Sequence, residues 1–228
     1  MRRNHHCAAI VPCFNEAAHI RGVVTGIQKH LPNVIVVDDG STDATAAEAK
    51  IAGAEILRLP KNSGKGAALR HGWRHAHQLG FQWVLMLDGD GQHDAGEIPF
   101  FLQCAEKTGA QLVVGNRMEN ADAMPFIRRR ANRWMSRRIS QLTGVELPDS
   151  QCGFRLAHLE TLLSLPLHAN RFEIESAMLV AFLAAGKKAE FVPIRAIYES
   201  NASNINPLTD TYRWLRWRLA QHPPLRVP

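Results

Sequence analysis

Trp83-Val84-Leu85-Met86-Leu87-Asp88-Gly89-Asp90-Gly91-Gln92-His93 is the stretch on which the reading of the fold turns. Five consecutive apolar residues are short for a helix and suit a strand buried on both faces. The run stops at two carboxylates separated by one glycine. Asp and Gly favour turns in any protein, so a solvated acidic turn is the ordinary reading of Asp88-Gly89-Asp90. The same pair, delivered by a buried strand, suits a hard divalent cation shared with a diphosphate. Mg²⁺ takes one or two carboxylates and fills its shell with phosphate oxygens and water. The glycines let the backbone turn sharply and approach a ligand. The choice depends on whether other strands end the same way.

Two of them do. The apolar run at residues 7–11 leads into Pro12-Cys13-Phe14-Asn15-Glu16, and the β-branched run at 34–37 leads into Asp38-Asp39-Gly40-Ser41. Further strands are expected at 54–59 and 111–114. Helical spacing fills the intervals: residues 17–30 (Ile20, Val23, Val24 and Ile27 on one face), 44–52, 67–79 and 99–107. Strands alternating with helices at these lengths imply βαβ crossovers and an α/β, Rossmann-like, mainly parallel sheet flanked by helices. Ligands of such sheets bind beyond the carboxyl ends of the strands. Glu16, Asp39, Asp88 and Asp90 are therefore expected on one rim. Asp38 or Asp39 suits a nucleotide base or ribose, while Ser41 or Thr42 is expected to cap the following helix. Asn62-Ser63-Gly64-Lys65-Gly66 lacks the G-x-x-x-x-G-K-[ST] spacing of a nucleotide-triphosphatase loop. Lys65 reads equally as a phosphate ligand and as a solvated loop lysine.

After Met124 the pattern changes. Residues 126–142 form one long basic helix, with Ile127, Ala131, Trp134, Met135, Ile139 and Leu142 at helical spacing and Arg128, Arg129, Arg130, Arg133, Arg137 and Arg138 between them. A loop spans 149–155. A helix spans 172–185, with Glu173 and Glu175 suited to the positive end of its dipole. A strand follows at 191–197 and a Trp- and Arg-rich helix at 210–220. Residues 126–228 carry fifteen Lys/Arg and eight Asp/Glu, a net +7, whereas residues 1–125 carry a net −1. The second part is the one to meet an anionic partner. Its basic helix reads either as a packed helix with a solvated face or as an interfacial helix on anionic lipid headgroups. Tyr212-Arg213-Trp214-Leu215-Arg216-Trp217-Arg218 favours the lipid reading. No motif of a nucleic-acid-binding fold is present, so no nucleic-acid partner is expected.

The 228 residues suit a single domain over 1–228, with a nucleotide-binding half at about 7–117 and a basic half at about 118–228. The longest nearly uncharged apolar stretch, 177–186, has ten residues, against the roughly 20 a membrane-spanning helix needs. The basic N-terminus is followed by an apolar run that breaks at Pro12, so no signal peptide is expected. Cys7, Cys13, Cys104 and Cys152 are scattered without a C-x-x-C pair, which favours reduced thiols in the cytosol. His71 and His75 have metal-ligand spacing but no third ligand nearby and read as surface residues. His93, directly after the acidic pair, reads as a ligand contact or a turn residue.

Four motifs occur in order: Val11-Pro12-Cys13-Phe14-Asn15-Glu16, Val37-Asp38-Asp39-Gly40-Ser41-Thr42-Asp43, Asn62-Ser63-Gly64-Lys65-Gly66 and Leu87-Asp88-Gly89-Asp90-Gly91-Gln92-His93. Together they resemble the family 2 glycosyltransferases, enzymes of GT-A fold. Gly115-Asn116-Arg117, Asp149-Ser150-Gln151-Cys152-Gly153-Phe154-Arg155 and Phe172-Glu173-Ile174-Glu175 resemble the branch around dolichol-phosphate mannose synthase. Any one motif is weak, but several in register over about residues 8–217 are specific. The resemblance implies that Pro12, Glu16 and Asp39 line the nucleoside pocket. It implies that Asp88 and Asp90, supported by Gln92, bind a metal–diphosphate with Mg²⁺ or Mn²⁺. Arg117 falls where the branch places a phosphate-contacting arginine, and Asp149 and Arg155 fall in the acceptor-side loop.

The resemblance also implies inversion at the anomeric carbon by direct displacement, with the metal neutralising charge on the leaving nucleoside diphosphate. The donor is expected to be a UDP- or GDP-sugar and the acceptor lipid-linked, foremost a polyprenyl phosphate. A hydroxyl acceptor needs a general base, for which Asp149 is the candidate. A phosphate acceptor is already ionised and needs positive charge instead, for which Arg117, Arg128, Arg130 and Arg155 are candidates. Asp90, Asp149 and Arg117 are the expected catalytic residues, and Lys65 joins the donor-binding set. The expected location is peripheral, at the cytoplasmic face of the cell membrane. The alternatives are a hydroxyl-directed glycosyltransferase and a non-catalytic nucleotide-sugar-binding protein.

Overall fold

The structure, a computed structural model, describes residues 6–119, 121, 124–195, 197 and 214–217. Its strands are β1 (Cys7–Cys13), β2 (Val34–Asp38), β3 (Glu55–Arg58), β4 (Trp83–Met86), β5 (Leu112–Asn116), β6 (Arg155–His158) and β7 (Ala189–Pro193). They form one sheet in the order β3-β2-β1-β4-β6-β5-β7. Its helices are α1 (Ile20–Gln28), α2 (Thr45–Ile51), α3 (Lys65–Gln78), α4 (Ile98–Thr108), α5 (Phe126–Thr143), α6 (Leu159–Ser164) and α7 (Ile174–Ala184). Every residue of β1, β2 and β4 is buried, as their continuous apolar runs require when helices cover both faces. On α1 the buried residues Ile20, Val24 and Ile27 make one stripe. Gly72 lets α3 lie close on the sheet: a Cβ there would stand 2.6 Å from Ile10 Cγ2.

Strand direction sets where the loops gather. β1, β2 and β4 run parallel, with Cys13 beside Asp38 and Ile10 beside Met86. β6 is antiparallel to both β4 and β5, so β5 runs with β4, and Arg155 at the start of β6 lies between Met86 and Val114. The ends of β1, β2, β4 and β5 therefore share a rim with the loop that leads into β6. Residues 14–16, 38–39, 88–90, 116–117 and 149–154 all stand there. The expected convergence of acidic strand ends is what the sheet produces.

Four local expectations need correction. β6 and α6 were not expected; residue 155 opens a strand where a loop was read. Lys65 and Gly66 belong to α3, not to the loop before it. The expected strand at 191–197 is shorter at its end and starts earlier, at Ala189. Neither Ser41 nor Thr42 caps α2. Ser41 Oγ instead accepts from the Asn15 backbone N–H at 2.9 Å, and the Asp43 carboxylate accepts from the Thr45 N–H at 2.9 Å. Of the helix expected at 210–220, only residues 214–217 are described, and those are helical.

Candidate active site

At the β2 end of the rim, Asp39 has both carboxylate oxygens engaged by the loop ahead of α3. Oδ1 accepts from Ser63 N–H at 2.8 Å and Oδ2 from Gly64 N–H at 2.7 Å. Gly64 holds φ at +96° there, a value that favours glycine. Asp39 thus fixes the start of α3 and the position of Lys65. Asp38 is buried and accepts from Ser41 N–H at 2.8 Å. The Glu16 backbone N–H donates to Thr45 Oγ1 at 2.8 Å. Glu16 borders Gly89: a Cβ at residue 89 would lie 3.6 Å from Glu16 Cγ and 2.5 Å from Cys13 Sγ. Burial pushes the Cys13 thiol up, and the charges of Glu16, Asp38, Asp88 and Asp90 around it push the same way.

At the centre stands a charge cluster. Lys65 Nζ lies 2.5 Å from Asp88 Oδ1 and 2.6 Å from Glu175 Oε1, and 5.7 Å from the centre of the Phe172 ring. His93 Nε2 is 3.5 Å from Asp88 Oδ2. Gly153 closes the cluster from the loop before β6, since a Cβ there would fall 2.6 Å from Asp88 Oδ2 and 2.8 Å from Lys65 Nζ. Pro12, Arg155 and Met178 join Lys65, Asp88 and Glu175 around a small cavity behind it. Burial opposes ionisation of Asp88, but the Lys65 charge and His93 outweigh it and hold the carboxyl well below its ordinary range. Asp90 shifts the other way, because burial and the Asp88 charge both raise it. Its Oδ1 accepts from Gln92 N–H at 3.0 Å.

A second cluster joins the end of β5 to the loop before β6. Asp149 is fully buried. It accepts from Arg117 Nε at 2.8 Å, Arg117 Nη2 at 3.0 Å, Arg117 N–H at 3.2 Å, Asn132 Nδ2 at 2.9 Å and Gln151 N–H at 3.0 Å. Burial alone would raise this carboxyl; the Arg117 charge and the hydrogen bonds overcome it and hold it below the ordinary range. An acid so placed is a weak proton acceptor. Arg155, expected to face an acceptor, is 1% exposed. It donates to the carbonyls of Cys152 at 2.7 Å, Glu175 at 2.6 Å and Ser150 at 2.9 Å. It therefore shapes the loop instead of presenting a charge to solvent. Arg128 is half-buried and Arg130 exposed on the first turn of α5, with the Arg130 guanidinium 5.6 Å from the Phe126 ring.

The sequence reading gives Glu175 a dipole-complementing place and a place in the branch motif, but not its pairing with Lys65. The signal was present: an acidic side chain inside the run 174–183, in which every other described position but Ala181 is buried, needs a cation.

Asp88 and Asp90 fit a divalent cation. Both carboxylates belong to one turn, and burial first, then the Asp88 charge, raises the Asp90 acid; added positive charge would relieve the second of these. Among the described residues no group of three or more His, Cys, Asp or Glu side chains could hold a metal. Two protein carboxylates are enough where phosphate oxygens and water complete the shell.

Residues 8–162 match the model of Glycosyl transferase family 2. The chain is 32% identical over 206 residues to Glycosyltransferase AglJ of Haloferax volcanii, spanning 88% of this chain and 67% of that protein. It is 31% identical over 212 residues to the UDP-N-acetylglucosamine–dolichyl-phosphate N-acetylglucosaminyltransferase of Methanococcus voltae, spanning 83% and 84%. Identity to the undecaprenyl-phosphate mannosyltransferase of Micrococcus luteus is 27%, over 92% of this chain and 93% of that one. Among solved structures, glucosyl-3-phosphoglycerate synthase from Mycobacterium tuberculosis, in complex with Mn²⁺, UDP and glucosyl-3-phosphoglycerate, matches with a TM-score of 0.71 at 23% identity, over 94% of this chain and 77% of that one. The shared fold is GT-A.

Proposed function

The chain belongs to glycosyl transferase family 2, and on that premise we propose that it moves a sugar from a UDP- or GDP-sugar to a polyprenyl phosphate, with inversion at the anomeric carbon. The relatives named for dolichyl and undecaprenyl phosphate support the acceptor class. A divalent cation, Mg²⁺ or Mn²⁺, held by Asp88 and Asp90 with Gln92 in support, would neutralise the charge that builds on the leaving diphosphate.

The chain's own residues divide the remaining work. Pro12, Glu16 and Asp39 border the nucleoside side, where Asp39 also holds the Ser63–Gly64 backbone in place. Arg117 is oriented by Asp149 at the end of β5. From there its charge suits an acceptor phosphate, with Arg128 and Arg130 as further candidates on α5. The observation that carries the choice of acceptor is Asp149. Buried and saturated with donors, it is unsuited to deprotonate a hydroxyl, and an ionised phosphate needs no base. The basic α5 supports a peripheral location on an anionic membrane surface, at the cytoplasmic face. Among the described residues no helix is long and apolar enough to cross a membrane.

The test is a screen of UDP- and GDP-sugars against membrane lipid extract with Mg²⁺ or Mn²⁺, read by mass spectrometry. The expected product is a glycosyl polyprenyl phosphate, heavier than the polyprenyl phosphate by one sugar residue. Asp90→Ala, or chelation of the metal, should lower turnover by about a hundredfold or more; full activity in either would sink the metal role. Asp149→Asn should lose modestly with a phosphate acceptor. Loss of nearly all activity, with a product glycosylated on a hydroxyl, would overturn the acceptor assignment.

A further inference from the structure

Lys65 occupies an unusual place for a residue of a donor site. Its ammonium is 12% exposed by side chain and sits between two carboxylates, Asp88 at 2.5 Å and Glu175 at 2.6 Å. Both ends of the arrangement are built in. Asp39 fixes the backbone ahead of Lys65 through Ser63 and Gly64. Glu175 is 5% exposed, and its carbonyl is tied to Arg155. The Gly153 backbone lies against the pair so closely that any side chain there would displace it. One oxygen of Asp88 is thus already neutralised by a cation of the chain itself. Metal that arrives at Asp88 meets that cation.

We propose that Lys65 is a resident counter-cation of the metal site: it competes with the divalent ion for Asp88 in the donor-free protein, and Glu175 is the second anchor that receives it when metal and diphosphate bind together. This rests on the reading of Asp88 and Asp90 as the metal ligands. Like charges within one partly buried cluster oppose each other strongly, so metal alone binds weakly while Lys65 is on Asp88. A diphosphate adds negative charge on the same side and gives both cations a partner. Metal and nucleotide then favour each other's binding by the same factor, as linkage requires. Glu175 sets the balance, because it holds the ammonium whichever oxygen the metal takes.

The proposal makes opposite predictions for two substitutions in the same cluster. Mn²⁺ binding is measured by titration with and without UDP or GDP on the intact chain, with unfolding midpoints recorded for each variant. Lys65→Met should tighten Mn²⁺ binding to the nucleotide-free protein by roughly tenfold, the low end of measured couplings between close charge pairs. The gain that nucleotide gives to Mn²⁺ affinity should shrink by a similar factor. Glu175→Gln should weaken nucleotide-free Mn²⁺ binding, since Lys65 is left with Asp88 alone. General loss of structure weakens metal binding in both and cannot produce tightening in one. Unchanged or weaker Mn²⁺ binding by a folded Lys65→Met protein overturns the proposal, provided Asp90→Ala abolishes binding in parallel. If the wild-type protein binds no Mn²⁺ even with nucleotide, the metal site itself is wrong and the proposal falls with it.

Discussion

Asp149 is the residue where charge and burial meet most directly. Its carboxylate takes five hydrogen bonds in a fully buried setting, three of them from Arg117. A group whose acid is depressed on folding stabilises the native state fully above its unfolded value, here the ordinary 3.8. That stability is lost as pH falls through the lower folded value. Asp149→Asn removes the buried carboxylate charge that pairs with the Arg117 guanidinium and should lower stability at neutral pH by about 3 kcal/mol. The gap between the two proteins should hold from neutral pH to about pH 4 and narrow below it. Urea unfolding at several pH values checks this; a gap that widens on acidification would contradict the assignment. At this scale the sequence was only partly legible. Glu16, Asp39, Asp88 and Asp90 could be read because each follows an apolar strand, whereas Asp149 rested on the family resemblance alone. Their partners could not, because Lys65 finds Asp88 and Glu175 only after α3 and α7 have packed around the end of β4.

At the scale of elements, β6 is the instructive case. β1, β2 and β4 announce themselves as apolar runs closed by acid and glycine. Arg155-Leu156-Ala157-His158 is four residues long, opens with a charge and shows no such run. It becomes a strand because β4 and β5 offer hydrogen-bonding edges on either side of it, and because three carbonyls accept the Arg155 guanidinium. Arg155→Met keeps the bulk and removes those donors. Stranding three buried carbonyls should cost about 3 kcal/mol or more and loosen the 149–154 loop, seen as a lower urea midpoint with faster amide exchange there. A midpoint unchanged within about 0.5 kcal/mol would mean that water satisfies those carbonyls. The early start of α3 has a similar cause. Lys65-Gly66 reads as loop until the absent Cβ of Gly66 admits the Ala169 carbonyl, which would stand 2.3 Å from a side chain there.

Over the whole molecule, charge is divided as the sequence indicated, and α5 carries much of the excess. Phe126 is 60% and Ile127 75% exposed at its start, and Trp134 is 40% exposed further along. Arg138 lies over the Trp134 ring at 5.7 Å, and Trp214 stands 5.4 Å from that ring. Apolar and basic side chains displayed together suit the boundary of an anionic bilayer. The double variant Ile127→Glu, Arg137→Glu should bind vesicles containing anionic lipid about tenfold less tightly or worse, while wild-type binding should fall as salt rises. Co-sedimentation at two salt concentrations measures both; binding unaffected by the variant would return α5 to the status of a solvated helix.

The place of β6 has a consequence for how the chain is made. The partner that separates β4 from β5 is synthesised 39 residues after β5 ends, and β7 follows later still, so a ribosome that has released residues 1–117 has produced β4 with one open edge and β5 with two. Such edges invite pairing with other chains, and the closing contacts span a long stretch of sequence, which slows folding. We expect a fragment ending at residue 117 to aggregate, and one ending after residue 217, which keeps the buried Trp214, to remain soluble and folded. Comparing the two by solubility and circular dichroism would show whether residues 1–117 can exist alone. A soluble, cooperatively unfolding 1–117 fragment would mean that evolution had two separable pieces to recombine, rather than one unit whose later half completes the earlier.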